Sequence, residues 1–283
     1  MPKRTNGCWI WRICKPMKFS DFVNKKHLIE NDEEEGLTPA DLFYDPNNST
    51  TPFFSMGKFS RLTEDDGSSL EEWDSDLTFE DLNLTTLKGC PITVHGDLEL
   101  KKLKLLSSLE FGPKEVSGWV EISALPKIKS LKGLPEIFES LSLSMMDIDN
   151  LVGLPNHLEN ITLNSVVLGS FEGISETIDH NLTIRNIASI LRAHMKVFSF
   201  LELYGRIESV EKIILENIEI DPKTPLLGLL KIKNLSEVEI KRINNDDLAK
   251  GIEIVNKYLP LGNILECQSE LIDAGLEDFA KLK

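Results

Sequence analysis

The side chains that most often carry chemistry are scattered through this chain of 283 residues. Its four cysteines and five histidines show no spacing typical of a zinc site, and the sequence holds no phosphate-binding glycine loop or metalloprotease motif. Cys90 stands where later repeats have Leu134 and Leu154, and Cys267 fits an apolar helix face. Pairs of Asp and Glu abound, but acidic segments produce such pairs by composition alone. We therefore expect no catalytic residue, no cofactor and no metal ion.

A phrase of five residues, roughly Leu-x-Gly-x-Pro, organises the middle of the chain. Its copies start at steps of 22, 22, 20 and 20 residues. They read LKGCP (87–91), LEFGP (109–113), LKGLP (131–135), LVGLP (151–155) and, in degraded form, FEGIS (171–175). A fixed period of about 20 residues is typical of a solenoid, in which each repeat stacks on the one before it.

An apolar pair with one residue between its members follows each phrase. Alternation of this kind predicts a strand whose paired residues both face the core. The pairs are Leu98/Leu100, Val120/Ile122, Leu141/Leu143, Ile161/Leu163, Leu182/Ile184 and Leu201/Leu203. No repeat has room for a ten-residue helix, so we predict a β-rich solenoid (α+β) with coils of about 20–22 residues.

The residues between the paired members should point outward together, on one face of the sheet. They are Glu99, Glu121, Ser142, Thr162, Thr183 and Glu202. We interpret this face as a surface for binding a protein partner. The alternative is that these residues are ordinary solvated strand positions, and the sequence leaves both interpretations open.

Charge and periodicity divide the chain into four segments. Residues 1–30 form a basic tail, with seven Lys or Arg against one Asp up to residue 29, and residues 31–81 are an acidic, mostly disordered linker. The repeats occupy 82–243, although their period breaks beyond Ile207, where 213–220, 229–235 and 238–243 look like strands. A helical cap fills 244–283: Asn245 or Asp246 starts one helix, which Pro260 stops, and a second begins near Asn263.

Two of the repeats, LPEIFESLSL (134–143) and LPNHLENITL (154–163), resemble leucine-rich repeats of the short bacterial type. That resemblance implies a solenoid that presents a sheet face to a protein partner. The chain departs from the family at the position after each strand, which is usually Asn. Here it holds Lys102, Ala124, Met145 and Ser165, with Asn186 as an exception.

The segment MKFSDFVNKKHLIE (17–30) has aromatic and apolar residues at helical spacing. It resembles the capsid-targeting peptides of internal head proteins in large contractile-tailed bacteriophages. The resemblance implies cleavage by a prohead protease at Leu28-Ile29-Glu30, before Asn31. Residues 1–16 look foreign to the rest, and they are either an over-extended reading frame or a disordered tail.

The leading hypothesis is thus a non-enzymatic phage protein, packaged through Met17–Glu30 by way of the prohead scaffold and binding a protein through its repeats. Alternatives are a host-takeover or anti-defence binding protein that is not packaged, and an effector or enzyme that uses the repeats for substrate selection. The net charge of −15 disfavours nucleic acid, and no apolar run reaches about 18 residues. We expect the virion interior or the host cytoplasm as its location.

Overall fold

The computed structural model describes residues 71–186, 198–243 and 245–282, which form a parallel β-solenoid of about eight turns followed by two helices. The strands are β1 (Glu72–Trp73), β2 (Leu77–Glu80), β3 (Thr93–Val94), β4 (Leu98–Lys101), β5 (Glu115–Val116), β6 (Trp119–Ser123), β7 (Ser140–Ser144), β8 (Asp147–Ile148), β9 (His157–Asn164), β10 (Val167–Leu168), β11 (Thr177–Arg185), β12 (Ser209–Glu216) and β13 (Glu237–Lys241). The helices are α1 (Asp246–Tyr258) and α2 (Ile264–Asp273), and two 3₁₀ helices span Phe200–Glu202 and Leu227–Lys231.

One long sheet gives the solenoid its main face. Eight strands pair in the order β2-β4-β6-β7-β9-β11-β12-β13, and every pairing is parallel. The predicted pairs from Leu98/Leu100 to Leu182/Ile184 are buried in this sheet, which confirms them. Each strand of the sheet buries at most three apolar residues, so the core becomes continuous only when the coils stack.

Each strand of the long sheet ends at a residue with a positive φ angle. These residues are Asp81, Lys102, Ala124, Met145, Ser165, Asn186, Asn217 and Arg242, with φ between 50 and 56°. The backbone N–H of each of the first seven donates to a carbonyl of the next coil, as from Lys102 to Ser123 at 2.9 Å. The left-handed corner therefore turns the chain away from the sheet while it keeps the parallel ladder intact. These are the positions at which leucine-rich repeats usually have Asn.

The Leu-x-Gly-x-Pro phrase forms the turn at the other end of each coil. Its first residue is buried in every copy, and its glycine has a positive φ in four of the five: Gly89, Gly133, Gly153 and Gly173. The second copy holds Phe111 at that position, with φ 70°, and this residue is 67% exposed. A Cβ on Gly133 would lie 2.5 Å from the backbone nitrogen of Glu110, so this turn has no space for a side chain.

Two helices follow the last strand, as the sequence predicts. Asn245 starts α1 and accepts a hydrogen bond from the N–H of Leu248, and Asn263 starts α2 in the same way. The α1 side chain of Asn256 donates to the carbonyl of Val238 and accepts from its N–H, both at 2.9 Å. Since β13 is at the end of the sheet, this amide satisfies backbone groups that a further strand would otherwise bind.

Two strands expected from the sequence are 3₁₀ helices instead. Leu201 lies in the 3₁₀ helix Phe200–Glu202, and Leu203 follows it directly. Of the segment 229–235, residues 229–231 lie in the 3₁₀ helix Leu227–Lys231, and residues 232–235 follow it. The sheet strand of that coil is β12, which starts at Ser209. The buried residues of this turn are Phe200 and Leu203, three positions apart, as the three-residue period of a 3₁₀ helix requires, and Leu201 is only half-buried. The spacing of Leu201 and Leu203 therefore resembles strand alternation without being one.

The repeats also begin earlier than residue 82. Glu72–Trp73 pairs with β3, and Leu77–Glu80 pairs with β4, with Trp73, Leu77 and Phe79 buried. The acidic residues between these apolar ones made the stretch look like linker by composition. The expectations for residues 1–70, including the targeting helix, the cleavage site and most of the acidic linker, lie outside the described residues.

Candidate functional site

The candidate site is the solvent-facing side of the long sheet. Residues directly opposite one another in the ladder form a line that we call the outer row: Thr78, Glu99, Glu121, Ser142, Thr162, Thr183, Ile214 and Glu239. Neighbouring strands lie about 4.8 Å apart, so the outer row is about 34 Å long. Buried residues flank each member from Thr78 to Ile214 within its strand, so these side chains lie on the side of the sheet away from the core. Neighbouring side chains cover Thr183, which is only 5% exposed.

Five of the six predicted face residues occupy the outer row in unbroken order, from Glu99 to Thr183. Glu202 does not, because it lies in a 3₁₀ helix. The position next to Thr183, which was expected for Glu202, is occupied by Ile214, and Glu239 is the next residue of the outer row. Sequence reasoning missed these two residues because it carried the 20–22-residue period into a coil that is longer.

The centre of the face carries small, uncharged polar side chains. Besides the outer row it includes Ser140, Ser144, Asn160, Asn164 and Asn181. They bond to one another across the coils: Ser144 Oγ donates to Ser123 Oγ at 2.9 Å, and Asn181 Nδ2 donates to Asn160 Oδ1 at 3.0 Å. Short side chains tied down in this way give a flat surface with fixed donors and acceptors.

Charged side chains occupy the amino-terminal coils of the face. Lys101 Nζ lies 3.1 Å from Glu99 Oε2 and 3.0 Å from Glu121 Oε2, so one ammonium serves two carboxylates. Partial burial lowers the pKa of Lys101, but its hydrogen bonds to Glu121 and Glu99 outweigh that effect and the net shift is upward. Lys102 likewise holds the pKa of Glu80 below its usual value through a 2.7 Å hydrogen bond.

The carboxyl-terminal coils have a second charged group. Lys212 Nζ contacts Glu237 at 2.8 Å and Glu239 at 3.0 Å, and Lys241 contacts Glu239 at 2.9 Å. Hydrogen bonds from Lys241 and Lys212 lower the pKa of Glu239. The acids here are matched by nearby bases, so this end is close to neutral, in contrast to the amino-terminal coils.

Trp119 is a functional candidate that sequence reasoning missed. It opens β6, lies opposite Ser140 in the ladder, and is 48% exposed on the outer face. Its position two residues before Glu121 gave the signal, because alternation puts both on the same side. Exposed tryptophan on a sheet face is unusual, and tryptophan is among the residues that most often anchor interfaces.

Little in the described part of the chain suits catalysis. Burial raises the pKa of the Cys90 thiol, and it raises the pKa of the Cys267 thiol to about 11, so neither is a ready nucleophile. Glu72, Asp74 and His95 have potential ligand atoms within 4.8 Å of one another, but all three are exposed, and such groups commonly occur without an ion. They add negative charge to the amino-terminal coils without defining a metal centre.

The fold defines this chain as a parallel β-solenoid protein with a helical carboxyl-terminal cap. Comparisons with protein-family models, with curated proteins and with solved structures found no match to the chain. In the part of the chain that the structure describes, no helix has the length and apolarity needed to cross a membrane.

Proposed function

We propose that this chain is a non-enzymatic binding protein whose outer row contacts a protein partner. The observation that carries the proposal is the unbroken register of Glu99, Glu121, Ser142 and Thr162 on the outer side of one sheet, which continues to the buried Thr183. Strands locked in parallel ladders lose little further freedom on binding, so such a surface is pre-organised for a partner.

The dimensions of the face indicate how a partner would use it. Three outward residues per strand cover about 13 Å along the strand direction, and the outer row is about 34 Å long, so the flat area is roughly 450 Å². A stable interface buries about 800 Å² on each partner. A partner would therefore cover the whole face and extend over at least one rim, rather than dock on a single coil.

Site-specific photo-cross-linking tests this proposal. A photo-reactive amino acid replaces Ser142 or Thr162 in the outer row, and Glu172 or Lys132 in the phrase turns serves as the matched exposed control. We expect one cross-linked protein at the two row positions, suppressed by an excess of unlabelled chain, and none at the controls. Equal cross-linking at row and control positions would contradict the proposal.

We also propose that the protein is packaged into a phage head through Met17–Glu30, on the strength of the resemblance of that segment to capsid-targeting peptides. The segment lies outside the described residues, so the support comes from its sequence alone. Mass spectrometry of purified particles tests it: a mature chain that begins at Asn31 supports packaging and cleavage after Glu30. Absence of the chain from particles favours the alternative of a binding protein that acts in the infected cell.

A further inference from the structure

We propose that the amino-terminal coils of the sheet face bind an arginine-bearing basic segment of the protein partner, with Trp119 as the platform on which a guanidinium stacks. This inference rests on the proposed function, and it specifies that the partner contacts the sheet through positively charged side chains. Three observations carry it: the excess of negative charge in these coils, the exposure of Trp119 among carboxylates, and the geometry that holds Asp97 beside it.

The first turns of the solenoid are strongly acidic. Residues 71–123, which carry β1 to β6, contain eleven Asp or Glu against five Lys, which gives a net charge of −6. On the sheet face, the single ammonium of Lys101 is shared between Glu99 and Glu121. A surface with this imbalance attracts a cationic partner and repels nucleic acid, since phosphate carries the same sign of charge.

Trp119 sits at the border of this acidic region. Its backbone N–H donates to Asp97 Oδ1 at 2.9 Å, and the N–H of Asp97 donates in turn to Asp76 Oδ1 at 3.0 Å. Asp76, Asp97 and Trp119 are thus equivalent positions in successive coils, and the indole continues a line of carboxylates. Glu121 follows two residues later on the same face.

The glycine before Trp119 fixes this arrangement. A Cβ on Gly118 would lie 2.1 Å from Asp97 Oδ1, so the carboxylate occupies the space that a side chain would need. Gly96 has the same relation to Asp76, at 2.5 Å. The carboxylate of Asp97 is therefore held against the backbone at Gly118 and Trp119.

An arginine side chain fits these groups better than a lysine does. The guanidinium is planar and weakly hydrated, so it stacks on an indole while its N–H groups reach carboxylates at the ring edge. Two residues provide acceptors beside Trp119. Asp97 lies at the equivalent position of the preceding coil, and Glu121 lies two residues later in the same strand. Lysine satisfies the charge, but it gains less from the ring and forms no two-pronged contact with a carboxylate.

Binding of labelled peptides to the full chain, followed by fluorescence anisotropy, tests the site. The probes are short peptides of alternating glycine with arginine, with lysine or with glutamate. We expect the arginine peptide to bind more tightly than the lysine peptide, and the glutamate peptide not to bind. Trp119→Ala should weaken arginine-peptide binding about two- to fivefold, while Trp119→Tyr, which keeps an aromatic face, should retain most of it.

Two charge variants separate the local site from general attraction. Asp97→Asn and Glu121→Gln each remove one charge and keep an oxygen acceptor, and each should weaken binding about two- to fivefold and reduce its salt dependence. Glu253→Gln removes the same charge from the exposed side of α1 and should have little effect. Arginine-peptide binding that is absent, that is unchanged by Trp119→Ala, or that falls equally with Glu253→Gln would overturn the inference.

The same variants distinguish a failure here from a failure of the proposed function. If a partner cross-links at Ser142 and Thr162 equally well in Trp119→Ala, the sheet binds its partner without this arginine site. If the arginine peptide binds at Trp119 but no partner cross-links along the outer row, the basic-segment site stands and the proposed use of the outer row fails.

Discussion

At the scale of single residues, the turns of the solenoid divide into glycine positions and one exception. Gly133, Gly153 and Gly173 have positive φ angles and no room for a side chain, whereas Phe111 adopts the same conformation with an exposed ring. An L-residue in the left-handed region costs about 1 kcal/mol relative to glycine. Phe111 therefore holds a local strain that its small buried area does little to offset.

Phe111→Gly should raise the free energy of unfolding by about 0.5–1 kcal/mol, because it relieves the backbone strain and removes few contacts. Thermal or urea unfolding measures the effect. Gly133→Ala is the matched change in the next coil, and it should destabilise the fold by more than about 1 kcal/mol, because the new Cβ meets the backbone of Glu110. A loss of stability on Phe111→Gly would show that the ring makes contacts worth more than the strain.

At the same scale, the sequence located most of the outer row but not its most distinctive member. Period-two alternation placed Glu99 to Thr183 on one face, and the parallel register aligns them. Trp119 was missed because the motif was centred on the buried pair Val120/Ile122, which left the residue before it unassigned. Its partner Asp97 was beyond reach of sequence reasoning, since their hydrogen bond depends on coil stacking across 22 residues.

At the scale of elements, the helical cap stabilises the last strand of the sheet. Asn256 completes the hydrogen bonds of Val238 at the sheet edge, and α2 is tied to α1 through Glu270, which accepts from Lys257 Nζ and Tyr258 Oη, both at 2.6 Å. The sequence predicted both helices from their caps and apolar faces. It did not predict the amide that joins α1 to β13, because no local pattern distinguishes a capping Asn from a surface Asn.

Asn256→Ala should lower the free energy of unfolding by about 1–3 kcal/mol, since it leaves the N–H and carbonyl of Val238 without their partners. Chemical denaturation measures the loss, and Glu253→Ala on the exposed side of the same helix is the control, with an expected effect within about 0.5 kcal/mol. An exposed strand edge also favours association, so Asn256→Ala should show more aggregation by light scattering. Equal stability of the two variants would contradict a capping role for Asn256.

The Glu270 cluster gives the cap a dependence on pH. Hydrogen bonds from Lys257 and Tyr258 lower the pKa of Glu270, so its contribution to stability is complete above the ordinary pKa of 4.5 and is lost as the pH falls through the lowered value. Glu270→Gln should therefore lower the melting temperature at neutral pH, and the difference from the unaltered chain should shrink below about pH 4. A difference that stays constant from neutral to acidic pH would contradict this linkage.

At the scale of the whole described body, periodicity predicted the architecture, and composition obscured its ends. The buried pairs and the Leu-x-Gly-x-Pro turns together were sufficient to predict a stacked solenoid. The first coil was not recognised because Trp73, Leu77 and Phe79 stand among acidic residues. The pair Leu201/Leu203 was assigned to a strand because a period of 20–22 residues was assumed, whereas the corner residues Asn186 and Asn217 of this coil are 31 positions apart. The longer coil contains a 3₁₀ turn whose buried residues, Phe200 and Leu203, are three positions apart, so the apolar pair Leu201/Leu203 did not mark a strand.

We propose that the outer row is the contact surface of this chain. Thr162 lies at its middle, between Ser142 and Thr183, and its side chain points to solvent, so the fold should tolerate a larger residue there. The most direct measurement is the affinity of the cross-linked partner for Thr162→Arg and for the turn variant Glu172→Arg. We predict that Thr162→Arg weakens binding at least tenfold while its melting temperature stays near that of the unaltered chain, and that Glu172→Arg binds normally. Unchanged affinity of Thr162→Arg would contradict the claim.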